Sequence, residues 1–188
     1  KNAQESLYKH NFAKNKKLDY RNKILSELSK LLGLKKTPFK IECYDISNVS
    51  GADSIGAQVV YVNASAKKGL YRKYNIKTVE GADDYESMRE VLFRRINEAY
   101  REDDLIKSKE LSEEKAKFFP LPDLILLDGG KGHVAAIKQL LNRVGEEIPV
   151  FGIVKDDFHR TRGITDDKSE FAISSRSELF KFLTCMQD

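Results

Sequence analysis

Two aspartates stand where an apolar run gives way to a polar loop. Asp45 follows the alternating run Ile41-Glu42-Cys43-Tyr44, and Asp128 follows Leu124-Ile125-Leu126-Leu127 and precedes Gly129-Gly130. Ligand sites in open α/β sheets gather at the carboxyl ends of the strands. If the two runs are parallel neighbours, the two carboxylates meet at one end of the sheet. Unpaired carboxylates that close repel, so they share a proton or take up a hard divalent cation. Mg²⁺ and Mn²⁺ suit carboxylate oxygens, and such an ion can activate a water for phosphodiester cleavage. Taken singly, each Asp is better explained as a turn residue. The pair, on the first and fourth strands, favours a metal site at Asp45 and Asp128.

Two other stretches carry weaker signals. Gly129-Gly130-Lys131-Gly132 could cradle an anion at a helix N-terminus. It lacks the six-position spacing and the final Lys-Ser/Thr of a phosphate-binding loop, and a tight strand-to-helix turn explains it equally well. Lys155-Asp156-Asp157-Phe158-His159-Arg160-Thr161-Arg162 mixes both signs of charge. Lys131, Lys155, Arg160 and Arg162 are the candidate phosphate contacts, on charge and placement alone. His10 and His133 read as bystanders.

The elements that would position these residues follow from periodicity. Leu18, Ile24, Leu25, Leu28, Leu31 and Leu32 recur at helical spacing, with Gly33 as a stop and Pro38 opening the body. Strands are expected at about 39–46, 58–62 and 70–76, joined by short connections that favour antiparallel neighbours. Asp83 and Glu86 form a capping box ahead of a helix with the stripe Tyr85, Met88, Leu92, Ile96 and Ala99. Residues 101–119 are a charged insert. The run 124–127, too short for a helix, reads as a buried parallel strand. A helix with Val134, Ile137, Leu140 and Leu141 follows, then a strand at 150–154, a polar loop to Arg162, and a helix opened by Ser175 and Glu178. The order β-β-β-α-β-α-β-α specifies an α/β fold with a mixed five-stranded sheet, antiparallel first and parallel after.

Composition narrows the class. The 188 residues are 40% hydrophobic and 33% charged, which excludes a wholly disordered chain. No run approaches the roughly 20 apolar residues of a membrane span, so no membrane partner is expected. Two cysteines make no disulfide scaffold, and free thiols in a reducing cytoplasm are the expectation. The net charge of +4 is unevenly spread: residues 1–40 hold 11 Lys+Arg and 3 Asp+Glu, and the rest hold 22 and 26. The basic excess therefore belongs to the leader and not to the body.

Four stretches together resemble the signature of the UvrC family, the nuclease subunit of bacterial UvrABC excision repair. They are Ile41 to Ser47, Asp84-Tyr85-Glu86-Ser87-Met88-Arg89-Glu90-Val91-Leu92, Pro122 to Gly132, and Val154 to Arg162. The resemblance implies a ribonuclease H-like domain over residues 37–188, with 1–36 a basic helical leader from the UvrB-interacting region. It implies a metal-dependent endonuclease that cuts damaged double-stranded DNA 5′ to the lesion, with UvrB as protein partner and no small-molecule cofactor. Asp45 and Asp128 match the family's metal-binding aspartates, with Mg²⁺ or Mn²⁺ as the ion, and Asp84 matches a further acidic residue tied to 5′ incision. The family completes an Asp-Asp-His triad with a His in a C-terminal Asp-Glu-x-His-Arg-Phe-Ala stretch. The chain reaches only Gln187-Asp188, so it is expected to lack that His and to be inactive alone. Asn48 stands where many relatives have His, and His133 where many have Gln. The rival expectation is a non-catalytic nucleic-acid or protein-binding module built on the same shell.

Overall fold

A computed structural model describes residues 2–48, 54–79, 81, 83–156 and 160–187. His159 and the loop residues 49–51 lie outside the described residues. One mixed sheet runs through the molecule. Its strands are β1 (Lys40–Asn48), β2 (Ser54–Val62), β3 (Ser65–Ala66), β4 (Arg72–Asn75), β5 (Leu124–Asp128), β6 (Val150–Lys155), β7 (Thr161–Thr165) and β8 (Glu170–Ala172). The order across the sheet is β3-β2-β1-β5-β6-β7-β8, with β4 also paired to β2. β5 runs parallel to β1 and β6 parallel to β5, while the other pairings are antiparallel. Four of the five expected strands, β2, β1, β5 and β6, form the centre of this sheet, and the fifth, β4, lies at its edge against β2, all in the expected directions.

Three strands correct the count of five. β3 takes the half of the β2 edge that β4 leaves unpaired. β7 and β8 form a hairpin beyond β6, beginning at the end of the expected polar loop and running through residues for which no element is expected. Thr161-Arg162-Gly163-Ile164-Thr165 holds one large apolar residue, and Glu170-Phe171-Ala172 is three residues long, so neither leaves a period to read.

Alternation along the strands builds two cores, one on each face. Ile41 and Cys43 of β1, Leu124 and Leu126 of β5, and Ile153 of β6 face helices α1 (Asn2–Leu31) and α4 (Glu178–Gln187). Tyr44 of β1 and Ile125 and Leu127 of β5 face α2 (Asp84–Lys107) and α3 (Lys131–Val144). The result is a helix–sheet–helix sandwich. No helix among the described residues is long and apolar enough to cross a membrane.

The helices end where their chemistry dictates. Only the last part of α1 is in the core, through Ile24, Leu25, Leu28 and Leu32, while residues 13–20 are exposed. Gly33 stops it with φ of +62°, a left-handed turn in which Leu34 N–H donates to Ser29 C=O. Asp83 caps α2 by accepting from Glu86 N–H, as expected. The buried stripe of α2 is Met88, Val91, Leu92, Ile96 and Ala99, and Tyr85 of the expected stripe is exposed instead. The cap of α4 is Ser177, whose hydroxyl accepts from Phe180 N–H, and not the expected Ser175.

The charged insert is partly a continuation of α2, ending at Lys107. Glu102, 6% exposed, accepts backbone N–H bonds from Lys117, Phe118 and Phe119. A second buried acid ties the same segment to the sheet. Glu42 and Arg95, each 1% exposed, form a bidentate pair at 2.7 and 3.1 Å. Tyr44 donates to the same carboxylate, and Lys40 sits 3.5 Å from it while donating to Pro120 C=O. This network locks α2 and residues 117–120 against β1, three residues from Asp45.

Candidate metal centre

Register, set by the apolar alternation, brings the two aspartates together. β1 and β5 pair in parallel with Cys43 opposite Leu126 and Tyr44 opposite Leu127. The next residues along the two strands are Asp45 and Asp128. Neighbouring strands lie about 4.8 Å apart, and residues two apart share a face. Cys43 and Leu126 point towards α1 and α4, so Asp45 and Asp128 lie on that face, side by side. Burial pushes the Cys43 thiol pKa up to about 12, with the charges of Asp128 and Asp45 adding to the rise, so the free thiol stays protonated at neutral pH.

The two carboxylates are held differently. Asp45 Oδ2 accepts from the Ser47 hydroxyl at 3.0 Å. Asp128 Oδ2 accepts from Lys155 Nζ at 2.6 Å, and Oδ1 accepts from the Gln187 amide at 2.9 Å. Lys155 reaches it from the end of the neighbouring β6, and Gln187 from the last turn of α4. Gln187 is a functional candidate that sequence reasoning missed; a lone Gln at a helix end carries no periodicity or motif. Its other amide atom, Oε1, lies 2.5 Å from the Thr161 hydroxyl of β7.

Asp84 stands at the first position of α2, released from capping by Asp83. Burial lowers the His133 pKa, against the charges of Asp84 and Asp128, which act to raise it. The imidazole stacks on the exposed Tyr85 ring at 4.6 Å. The turn after Asp128 is fixed by close approach: a Cβ at Gly152 would lie 2.1 Å from Gly129 C=O, and one at Gly129 would strike the His133 ring. The glycines here serve packing of the turn that carries Asp128.

Each of the four expected phosphate contacts has an acceptor within the protein. Lys131 donates to Lys168 C=O, Lys155 to Asp128, Arg160 to Asp156, and Arg162 makes a bidentate pair with Glu170. Of these, Lys155 directly contacts Asp128. Among the described residues no group of three or more His, Cys, Asp and Glu could hold a metal. The donor set still suits a hard cation. Two carboxylates of adjacent register supply oxygen ligands, and the Lys155 ammonium sits against one of them.

A family model described as the UvrC RNAse H endonuclease domain matches residues 29–188. The chain is 50% identical over 165 residues to UvrABC system protein C of Thermoanaerobacter pseudethanolicus, covering 88% of this chain and 27% of that protein. Against UvrABC system protein C of Caldanaerobacter subterraneus subsp. tengcongensis it is 45% identical over 187 residues, covering 100% of this chain and 30% of the relative. The chain therefore spans under a third of the length of these relatives. Among solved structures, human ENDOV matches with a TM-score of 0.36 at 13% identity, covering 89% of each chain. Endonuclease V of Ciona intestinalis, in complex with an inosine-containing DNA, matches with a TM-score of 0.38 at 15% identity, covering 76% of this chain and 59% of that one. These structural likenesses are too distant to speak to chemistry. On the family match and the relatives, the chain belongs to the family of UvrC ribonuclease H endonuclease domains.

Proposed function

We propose that this domain is a Mg²⁺- or Mn²⁺-dependent DNA endonuclease that cuts a damaged duplex 5′ to the lesion during excision repair. The observation that carries the reading is the register of β1 and β5, which sets Asp45 and Asp128 side by side on one face of the sheet. Family membership supports the nuclease class, and the relatives' name, UvrABC system protein C, supports the repair role and UvrB as partner.

Asp45 and Asp128 are the residues that would hold the ion. When bound, it supplies Lewis acidity and a nucleophilic water to the phosphodiester, leaving a 3′-hydroxyl. The chain's own groups prepare that site. Ser47 keeps one Asp45 oxygen engaged, and Gln187 does the same for one Asp128 oxygen. Lys155 neutralises the remaining Asp128 oxygen and stands where a scissile phosphate would need a cation. Lys131, Arg160 and Arg162 would contact the flanking backbone by exchanging their present acceptors for phosphates. Asp84, at the first position of α2 with Asp83 as the cap, is the further acidic residue that the family resemblance ties to 5′ incision.

Strand incision of a lesion-bearing duplex tests the reading, with the domain carried in a full-length UvrC chain and its partner proteins supplied. Asp45→Asn and Asp128→Asn are expected to abolish the 5′ cut while leaving DNA loading intact. Retention of that cut by either variant would overturn the assignment.

A further inference from the structure

We infer that Gln187 and Thr161 form a positioning relay that holds the Asp128 carboxylate for its cation. The inference rests on the metal-centre reading above and concerns residues outside the signature aspartates. Thr161, on β7, is 8% exposed, and its hydroxyl lies 2.5 Å from Gln187 Oε1. Gln187 Nε2 lies 2.9 Å from Asp128 Oδ1. Thr184, one turn before Gln187 on α4, lies with its hydroxyl 3.2 Å from Thr161 Oγ1 and 3.0 Å from Phe180 C=O.

The direction of these bonds follows from what each group can do. An ionised carboxylate only accepts, so the amide must turn its NH₂ towards Asp128. Its carbonyl oxygen then faces Thr161, and only the hydroxyl can donate there. The relay thus ties three elements to one oxygen: β7, α4 and the end of β5. Rotation of the Asp128 carboxylate would break the Gln187 bond, and rotation of the amide would break the bond to Thr161.

The two Asp128 oxygens therefore differ in what a cation would meet. Lys155 holds Oδ2 through a positive charge, which an incoming divalent ion repels and replaces. Gln187 holds Oδ1 through a neutral donor, which a cation does not repel. The amide bond can persist in the loaded site, and the ammonium contact cannot. Hydrogen-bonding partners of metal ligands commonly contribute about 10- to 100-fold in metal affinity. Gln187 and Thr161 are accordingly positioning residues, not catalytic ones.

The test is Mn²⁺ affinity, read from the free-ion electron paramagnetic resonance signal with the full chain, alongside the melting temperature. Gln187→Leu and Thr161→Val are expected to weaken Mn²⁺ binding about 10-fold with little change in melting temperature. Thr161→Ser, which keeps the hydroxyl, is expected to restore it. Wild-type affinity in both Gln187→Leu and Thr161→Val would overturn the relay while leaving the metal centre standing. Equal losses in Thr161→Ser and Thr161→Val would also overturn it, because packing and not the hydroxyl would then be responsible. Absence of Mn²⁺ binding by the wild-type chain would contradict the metal centre itself, and the relay with it.

Discussion

At the residue scale, the ammonium of Lys155 and a divalent cation compete for Asp128 Oδ2. Lys155 is partly exposed, so the pair is screened, and such pairs contribute about 0.2–1 kcal/mol. Lys155→Met is therefore expected to tighten Mn²⁺ binding by about 1.4- to 5-fold, the equivalent of that energy. Calorimetric titration without DNA measures it; weaker binding would show that Lys155 supports the site instead of occupying it. Asp128 is the last residue of β5, as its apolar run suggests, whereas Asp45 lies inside β1, which continues to Asn48 through its pairing with β2 and does not end at Asp45 as expected. Gln187 and the Lys155–Asp128 contact were not legible in the sequence, since both depend on distances between elements far apart in the chain. Tyr85 was misplaced for a related reason. It fits the helical stripe of α2, but the first turn of that helix leaves its ring beside His133 and exposed.

At the element scale, β1 is fixed by its neighbours more than by its own sequence. The Glu42–Arg95 pair is 1% exposed on both sides, and the Arg95 charge is favoured by Glu42 against the cost of burial. Removing one partner strands a buried charge. Arg95→Leu is expected to destabilise the chain by about 3–5 kcal/mol, and the double variant Glu42→Leu/Arg95→Leu to recover much of that loss. Urea unfolding of the two variants measures both numbers, and equal stability in single and double variants would contradict the account. An alternating Lys40-Ile41-Glu42-Cys43 pattern identifies the strand, yet it assigns Glu42 to a solvent face. The structure buries it, because Arg95 comes up from α2 to meet it. The outer strands β7 and β8 escaped for lack of apolar residues, and their pairing is set by β6 already being in place.

Across the whole molecule, the two core layers place every site element at one end of the sheet, while Glu102 ties the segment after α2 onto its far side. Burial alone would raise the Glu102 pKa, but three backbone N–H groups and Arg95 hold it below its ordinary value of 4.5. A depressed carboxyl pKa contributes stability that is present above the ordinary value and is lost as pH falls through the lowered one. Stability is therefore expected to decline as pH falls below 4.5, and the decline should be shallower in Glu102→Gln. Urea midpoints across that range check it, and identical slopes would contradict the role given to Glu102. The basic charge of the leader sits on an α1 whose residues 13–20 are exposed and whose last turns are core. The order of strands was a good guide to the fold, whereas the charge total says nothing of it.

The central claim is that Asp45 and Asp128 share a cation, and anomalous diffraction from crystals grown with Mn²⁺ tests it most directly. The account predicts a manganese peak within about 2.2 Å of a carboxylate oxygen of both residues, with Lys155 Nζ withdrawn from Asp128. A peak elsewhere, or none between these two carboxylates at saturating Mn²⁺, would contradict it.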